Sequence, residues 1–222
     1  LAVVYYGSQD PDPTIHDKMT GRKGSHTKTV SAIKRLLTRK VRVGINCLLT
    51  RHNIDFCFNL MRWAGEMNIQ IQFNPVVTPK SDYSLNPISE RASKEQLYHY
   101  FKTLKKHERL KQPTANDPND PVCNAGRGRC AINPYGELFP CLDVRDSLGN
   151  LRDRSFNELW NSSKAVDLSR YKNRDLNFNH TSGGNKFCDH CLGVAEAETG
   201  NKLTPVPFLM EIADLKRRAL ES

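Results

Sequence analysis

Five cysteines in this 222-residue chain fall into two groups whose spacing indicates chemistry. Cys123, Cys130 and Cys141 lie within nineteen residues of one another. Cys188 and Cys191 follow forty-seven residues after Cys141 as a CxxC pair. Thiols grouped in this way are typical of a metal centre or of a disulfide framework.

Three chemistries can use these thiols. Zinc takes four ligands and often uses two CxxC pairs, whereas this chain has one CxxC and an unusual C-x6-C-x10-C segment. An iron–sulfur cluster also takes four thiolates and accepts less regular spacings. Disulfides are disfavoured because the sequence has no secretory signal. The residues alone therefore leave iron–sulfur and zinc open, and we expect His190, inside the CxxC, to be a solvated neighbour and not a ligand.

The charge balance favours anionic partners. The formal net charge is +9, but the Lys and Arg residues are scattered and no RNA-binding motif is present, so we expect no nucleic-acid partner. No apolar run approaches the ~18 residues that a membrane helix needs, so we expect no membrane association. Clustered thiols without a secretory signal predict a reducing, cytoplasmic location.

The first half of the chain predicts a β-α-β-α-β order and hence a parallel sheet. Residues 1–6 form a β-prone apolar run, and a polar loop is predicted from there to Ser25, which we expect to cap a helix. Asn53 is expected to cap the next helix, and Ser93 with Gln96 to form a capping box. Two later segments alternate strictly between apolar and other residues and are predicted strands, residues 41–49 and 69–74.

One face of these two strands is apolar and the other carries glycine and amides. The second face contains Gly44, Asn46, Gln70, Gln72 and Asn74. Strands of an open parallel sheet are normally apolar on both faces, so the pattern favours a barrel whose lumen is wet or binds a polar ligand. An ordinary exposed sheet face is the alternative.

Cys47 and Cys57 lie on the apolar stripes of their elements, so we expect both thiols to be buried and inert.

The second half opens with a Pro- and Asn-rich linker at residues 113–121. A β-hairpin is predicted over residues 131–140 with its turn at 133–136, and Ser155 with Glu158 predicts a second capping box. Residues 170–187 are polar and irregular. The apolar spacing of residues 209–215 predicts a final helix.

The cysteine segment resembles a known family. Cys123-x12-Gly136-x4-Cys141 followed by the CxxC is similar to the SPASM/twitch extension of radical SAM enzymes. Residues 132–141 look like its hairpin and residues 156–160 like its short helix. Residues 16–25 and the helix start at Asn53 resemble the later part of the radical SAM barrel. Within this family, the sequence most resembles maturases that form thioether or carbon–carbon crosslinks in ribosomally made peptides.

The resemblance implies an α/β fold in two parts. Residues 1–112 are expected to be the C-terminal part of a partial (β/α)6 barrel, and residues 113–222 a small Cys-rich α+β SPASM/twitch domain. It also implies S-adenosylmethionine and its own [4Fe–4S] cluster in the full-length enzyme, a precursor peptide as substrate, and a flavodoxin or ferredoxin as reductant.

The resemblance assigns an auxiliary [4Fe–4S] cluster to the second part. Its ligands would be Cys123, Cys141, Cys188 and Cys191, with Cys130 as a replacement for one of the distal pair. In the first part, S-adenosylmethionine or the peptide backbone would contact four residues of the polar strand face: Gly44, Asn46, Gln72 and Asn74. The alternatives are a non-catalytic zinc-binding interaction module, and a radical SAM enzyme that acts on a small molecule or haem precursor.

Three departures qualify the resemblance. The CxxxCxxC segment that starts radical chemistry is absent, so we expect a C-terminal fragment that is inactive alone, and not a degenerate homologue. Ala197 and residues 209–210 stand where a full SPASM domain has further cysteines, so a second auxiliary cluster is not expected. Leu142 separates Cys141 from Asp143, which argues against the sulfatase-maturing branch.

Overall fold

A three-stranded parallel sheet organises the first of two units in the computed structural model, which describes residues 2–4, 13–112, 117–177 and 188–222. This first unit comprises Leu1–Val77 and Pro87–His107. The strand order is β1-β2-β3, and both pairings are parallel, as the sequence predicts. The strands are β1 (Ala2–Val4), β2 (Gly44–Leu48) and β3 (Gln70–Asn74).

The described residues of the first unit form four α-helices. Their apolar faces are buried, with Ile33, Leu60, Leu97 and Phe101 among the most deeply buried side chains. The helices are α1 (Pro13–Thr20), α2 (Ser25–Thr38), α3 (Cys57–Glu66) and α4 (Lys94–Lys106), with 3₁₀ turns at Ile54–Phe56 and Asn86–Glu90.

The start of helix α2 differs from the prediction in two respects. The polar loop predicted before Ser25 contains helix α1, and Ser25 is not a cap but the first residue of α2, preceded by Gly24 in the left-handed conformation. Asp17 supplies the missing cap from a distance. Its carboxylate accepts hydrogen bonds from the backbone N–H groups of Gly24 and His26 and from the Ser25 hydroxyl.

Asn53 stands at the N-cap position of the 3₁₀ turn Ile54–Phe56 that leads into α3, but its side chain makes no capping bond there. It is buried, its side-chain oxygen accepts from Thr50 N at 2.7 Å, and its Nδ2 donates to Leu48 O at 2.9 Å. The side chain therefore closes the loop that follows β2. The capping box of Ser93 and Gln96 is present as predicted.

The second unit comprises Thr78–Asn86 and Glu108–Ser222. Its antiparallel sheet has the order β4-β5-β6. Its elements are β4 (Ala131–Ile132), β5 (Glu137–Phe139), β6 (Gly149–Asn150), α5 (Phe156–Trp160), α6 (Ser163–Ser169), a 3₁₀ turn (Asn173–Asp175), α7 (Leu192–Thr199) and α8 (Pro207–Glu221).

The predicted hairpin, second capping box and final helix are all present. The hairpin turn is held by Asn133, whose side-chain oxygen accepts from Tyr135 N and Glu137 N at 3.0 Å each, and Gly136 adopts a φ of +88° that favours glycine. Ser155 and Glu158 close the capping box. Parts of the predicted linker and of the irregular segment, residues 113–116 and 178–187, lie outside the described residues.

In the described part of the chain, no helix combines the length and the apolar character that crossing a membrane requires.

Candidate metal centre

The two hairpin-side thiols Cys123 and Cys141 lie on a shared apolar cluster. Both pack against the buried group formed by Ala125, Val144, Leu168 and Leu192. Burial raises the pKa of the Cys123 thiol, and the nearby Cys141 adds to the increase. The Cys141 thiol is therefore close enough to Cys123 for its charge to affect the Cys123 pKa.

Cys191 joins them from the distal pair. It immediately precedes Leu192, which belongs to the same apolar cluster, and it occupies the position before helix α7. The pKa of the Cys191 thiol is raised to about 11, mainly by burial and also by the charges of Asp143 and Cys141. The structure thus brings together one thiol from each end of the hairpin segment and one from the CxxC.

Backbone N–H groups lie beside each of these three sulfurs. Cys141 Sγ accepts from Asp143 N at 3.5 Å, the N–H of Ala125 lowers the pKa of Cys123, and the N–H groups of Val194 and Gly193 lower the pKa of Cys191, each against the raising effect of burial. Such donors favour the ionised thiolate, which is the form that ligates metals. In iron–sulfur sites the same kind of bond tunes the reduction potential.

Gly193 allows the distal segment to reach the hairpin. A Cβ at this position would lie 2.2 Å from Asp143 O and 2.7 Å from Val144 N, so only glycine permits this approach. Helix α7 therefore begins directly against the backbone that follows Cys141. The glycine two residues after the CxxC was a signal for such close packing, but the pattern alone did not say against what.

His190 contradicts the expectation of a solvated neighbour. It is only 8% exposed, and burial lowers its pKa. Its Nε2 lies 2.7 Å from the backbone oxygen of Lys202, and because a carbonyl only accepts, Nε2 carries the proton. His190 therefore anchors the CxxC loop from within.

The surroundings of Cys188 and Cys130 differ from those of the other three thiols. Cys188 is buried. Its pKa is raised to about 11, mainly by burial and also by the charge of Asp189, while the charge of Lys216 on α8 acts in the opposite direction. Lys216 Nζ bonds Asp189 Oδ2 at 2.9 Å, so this end of the CxxC faces the final helix. Cys130 is exposed.

The sulfur donors suit an iron–sulfur cluster, because thiolates are its standard ligands. Cys123 and Cys141 pack on one apolar cluster, Cys191 lies near enough to Cys141 to be affected by its charge, and each of the three sulfurs has a backbone N–H beside it. Among the described residues, no three His, Cys, Asp or Glu side chains are gathered tightly enough to hold a single metal ion.

The predicted polar face of the first unit is exposed. Asn46, Gln72 and Asn74 are exposed, Gly44 is half-buried, and Asn46 pairs in register with Gln72. The opposite face of β2 is buried, and the chain thus places the amides side by side on one surface. Sequence alternation alone predicts this arrangement.

Cys47 and Cys57 are buried in the first unit, at 1% exposure each. Burial raises the pKa of both thiols to about 12, so neither is ionised near neutral pH. The prediction of two buried thiols with no reactive character agrees with the structure.

Comparison with known proteins places the cysteines in one family model. Residues 123–192, which contain all five grouped cysteines, match SPASM, described as an iron-sulfur cluster-binding domain.

Curated relatives are also found. The chain is 22% identical over 222 residues to the AdoMet-dependent heme synthase of Methanosarcina barkeri, an alignment that covers 87% of this chain and 63% of that protein. It is 25% identical over 182 residues to the protein of the same description from Oleidesulfovibrio alaskensis, covering 69% of this chain and 47% of that one. The chain therefore spans less than two thirds of either relative.

Solved structures share the fold. The structure of native anSMEcpe with bound AdoMet and Kp18Cys peptide superposes with a TM-score of 0.64 at 14% identity, covering 99% of this chain and 67% of that one. Native anSMEcpe with bound AdoMet gives 0.65 at 14% identity, covering 99% and 65%. The chain therefore shares its fold with these solved structures, and its residues 123–192 match the SPASM iron–sulfur cluster-binding domain.

Proposed function

We propose that this chain is the part of a radical SAM oxidoreductase that carries an auxiliary [4Fe–4S] cluster, held by Cys123, Cys141 and Cys191. The observation that supports the proposal is that Cys123 and Cys141 pack on one apolar cluster, with Cys191 near Cys141 and a backbone N–H beside each of the three sulfurs. Cys188 is the fourth ligand in this proposal, with Cys130 as its alternative. A bound cluster supplies one-electron redox chemistry.

The protein's own residues prepare the site in two ways. Burial of Cys191 and Cys123 makes their neutral thiols the stable form until a metal binds. The N–H groups of Ala125, Asp143 and Gly193 then stabilise the negative sulfur.

In the first unit, the amide face is the proposed substrate and cofactor surface. Asn46, Gln72 and Asn74, with Gly44, would contact S-adenosylmethionine or a peptide backbone, because amides both donate and accept hydrogen bonds. When bound with its own cluster, S-adenosylmethionine supplies the means of hydrogen-atom abstraction. In this proposal, residues 1–112 serve the barrel, residues 113–222 serve the auxiliary cluster, and the enzyme works in the cytoplasm with a flavodoxin or ferredoxin as reductant.

The proposed substrate is a ribosomally made peptide in which a thioether or carbon–carbon crosslink is formed. Solved structures of the same fold include one with a bound peptide. A haem precursor is the second candidate, because the curated relatives are described as heme synthases. Equilibrium titration of the chain with an iron porphyrin, monitored by absorbance of the Soret band, distinguishes the two candidate substrates. Saturable binding favours the haem precursor.

The experiment that tests the proposal is anaerobic reconstitution with iron and sulfide, followed by metal analysis and visible absorption. We expect about four iron atoms per chain in the wild type and loss of the charge-transfer band in C123A, C141A and C191A. C47A, which removes a buried thiol of the first unit, is the matched control and should bind iron normally. Whichever of C188A and C130A loses the band identifies the fourth ligand.

Two results would overturn the proposal. Full iron content in C141A or C191A would show that these thiols are not ligands. One zinc per chain without iron would favour a zinc-binding interaction module.

A further inference from the structure

We propose that Lys202 is a positioning residue that holds the two cysteine-bearing segments together before any cluster is inserted. The inference depends on the proposed function in one respect: the cluster is the reason that the two segments need to be held together. The contacts that support it belong to the protein alone.

Lys202 joins the two segments through its side chain. Its Nζ donates to Asp146 Oδ2 and to Glu196 Oε1, both at 2.7 Å. Asp146 lies five residues after Cys141, and Glu196 lies five residues after Cys191. One ammonium group therefore links two segments of the chain at the same distance in sequence, five residues, after a thiol in each.

The backbone of Lys202 adds a third contact. Its carbonyl oxygen accepts from Nε2 of His190, the residue directly before Cys191, at 2.7 Å. The same residue thus fixes the CxxC loop from the main chain and helix α7 from the side chain.

Burial makes these contacts stronger than an ordinary surface ion pair. The side chains of Lys202 and Glu196 are 20% and 21% exposed, whereas Asp146 is 56% exposed. Burial alone would lower the pKa of Lys202, but the bonds to both carboxylates raise it, so the ammonium stays charged. The second oxygen of Glu196 is buried without a hydrogen-bond partner in the described structure. Loss of Lys202 would therefore leave a buried carboxylate without its positive partner.

The test is hydrogen–deuterium exchange on the whole purified chain without metal, comparing the wild type with K202M and K202R. Methionine keeps the length and apolar stem of lysine but removes the charge, whereas arginine restores it. K164M is the matched control, because Lys164 is exposed and, within the described part of the chain, bonds a backbone carbonyl, Ser147 O, at 3.4 Å.

We expect K202M to accelerate exchange about tenfold in peptides covering residues 141–146 and 190–196, as for a partly buried pair that loses one partner. K202R should stay close to the wild type, and K164M should not change. If K202M does not fold, E196Q removes the same pair with less strain and decides the question. Unchanged exchange, or acceleration spread evenly over the second unit, would overturn the proposal.

A second measurement separates this inference from the proposed function. The rate of iron–sulfide incorporation is followed in the same variants, and we expect K202M to incorporate iron more slowly than K202R. If the wild type takes up no iron but K202M still loosens both segments, the proposed function fails and the positioning role stands. If iron uptake is normal in the wild type and in K202M, with unchanged exchange, only the positioning role fails.

Discussion

Substitution of Gly193 by alanine is the sharpest test of how the two sulfur-bearing segments meet. The added Cβ would lie 2.2 Å from Asp143 O, whereas ordinary contact begins at 3.4 Å, so the backbone would have to retreat by about 1.2 Å. The obstacle is main chain and cannot rotate away. Either helix α7 or the segment after Cys141 must move.

Two opposing effects set the magnitude. Alanine is favoured over glycine inside a helix by about 1 kcal/mol, which would stabilise the variant. Overpacking against fixed atoms costs about 1–3 kcal/mol and occasionally more. Since the overlap here is with backbone, we use the upper overpacking cost of about 3 kcal/mol and subtract the helix preference of about 1 kcal/mol. We therefore expect G193A to lower the free energy of unfolding by about 2 kcal/mol.

The assay is urea unfolding followed by tryptophan fluorescence. The chain has two tryptophans, and in a W63F background Trp160 reports on the second unit alone. G65A is the matched control, measured in a W160F background, because Gly65 is also helical and a Cβ there meets nothing within 4 Å. We expect G65A to stabilise the first unit by up to about 1 kcal/mol.

The two glycine variants should therefore move in opposite directions. If G193A stabilises the second unit as G65A stabilises the first, helix α7 does not approach residues 143–144 as described. The same result would remove the structural basis for placing Cys191 beside Cys141.

Three further predictions concern thiols, protonation and capping. With Ellman's reagent at about pH 8, Cys130 should react at once, whereas Cys47 and Cys57, with pKa values of about 12, should react only on unfolding. Burial lowers the pKa of His16 below its ordinary 6.5, so the unfolded chain binds the proton at a higher pH than the folded chain does. The urea midpoint of the first unit should therefore fall as the pH drops below about 6.5, and H16Q should reduce this pH dependence. S155A removes the acceptor for Glu158 N and should lower the stability of the second unit by about 1 kcal/mol in the same unfolding assay.

The features that sequence predicts correctly depend on contacts within a few residues. The turn between β4 and β5 is fixed by Asn133 and Gly136, and both capping boxes join residues three apart. The alternation that defines β2 and β3 is equally local. In each case the donor, the acceptor and the required backbone conformation can all be read from one short window.

Helix α1 was missed because its stabilising contacts are not local. Its sequence is polar, and His16 is its one buried residue among those described. Asp17 on this helix caps α2 from seven to nine residues away, so Ser25 looked like a cap when it was the first helical residue. Asn53 was misread for the same reason, since its bonds go back to the strand end at Leu48.

The site shows the same limit. Spacing identified five clustered thiols, but it could not say that Cys191 faces Cys141 while Cys188 faces α8. Which CxxC thiol lies near Cys141 depends on the missing side chain at Gly193 and on the hydrogen bonds of Lys202. Both act between segments about fifty residues apart, where no sequence period exists to reveal them.

Gly193 and Lys202 act on the same contact, so their effects should not add. G193A forces α7 away from residues 143–144 and thereby separates Glu196 from Asp146, so that K202M has fewer bonds left to break. We expect the double variant G193A/K202M to be less destabilised than the sum of the single variants, with a coupling of about 0.5–3 kcal/mol. The measurement is the same urea unfolding reported by Trp160. Additivity within about 0.3–0.5 kcal/mol would mean that the glycine contact and the lysine bridge act independently, and that no single docking step brings the two sulfur-bearing segments together.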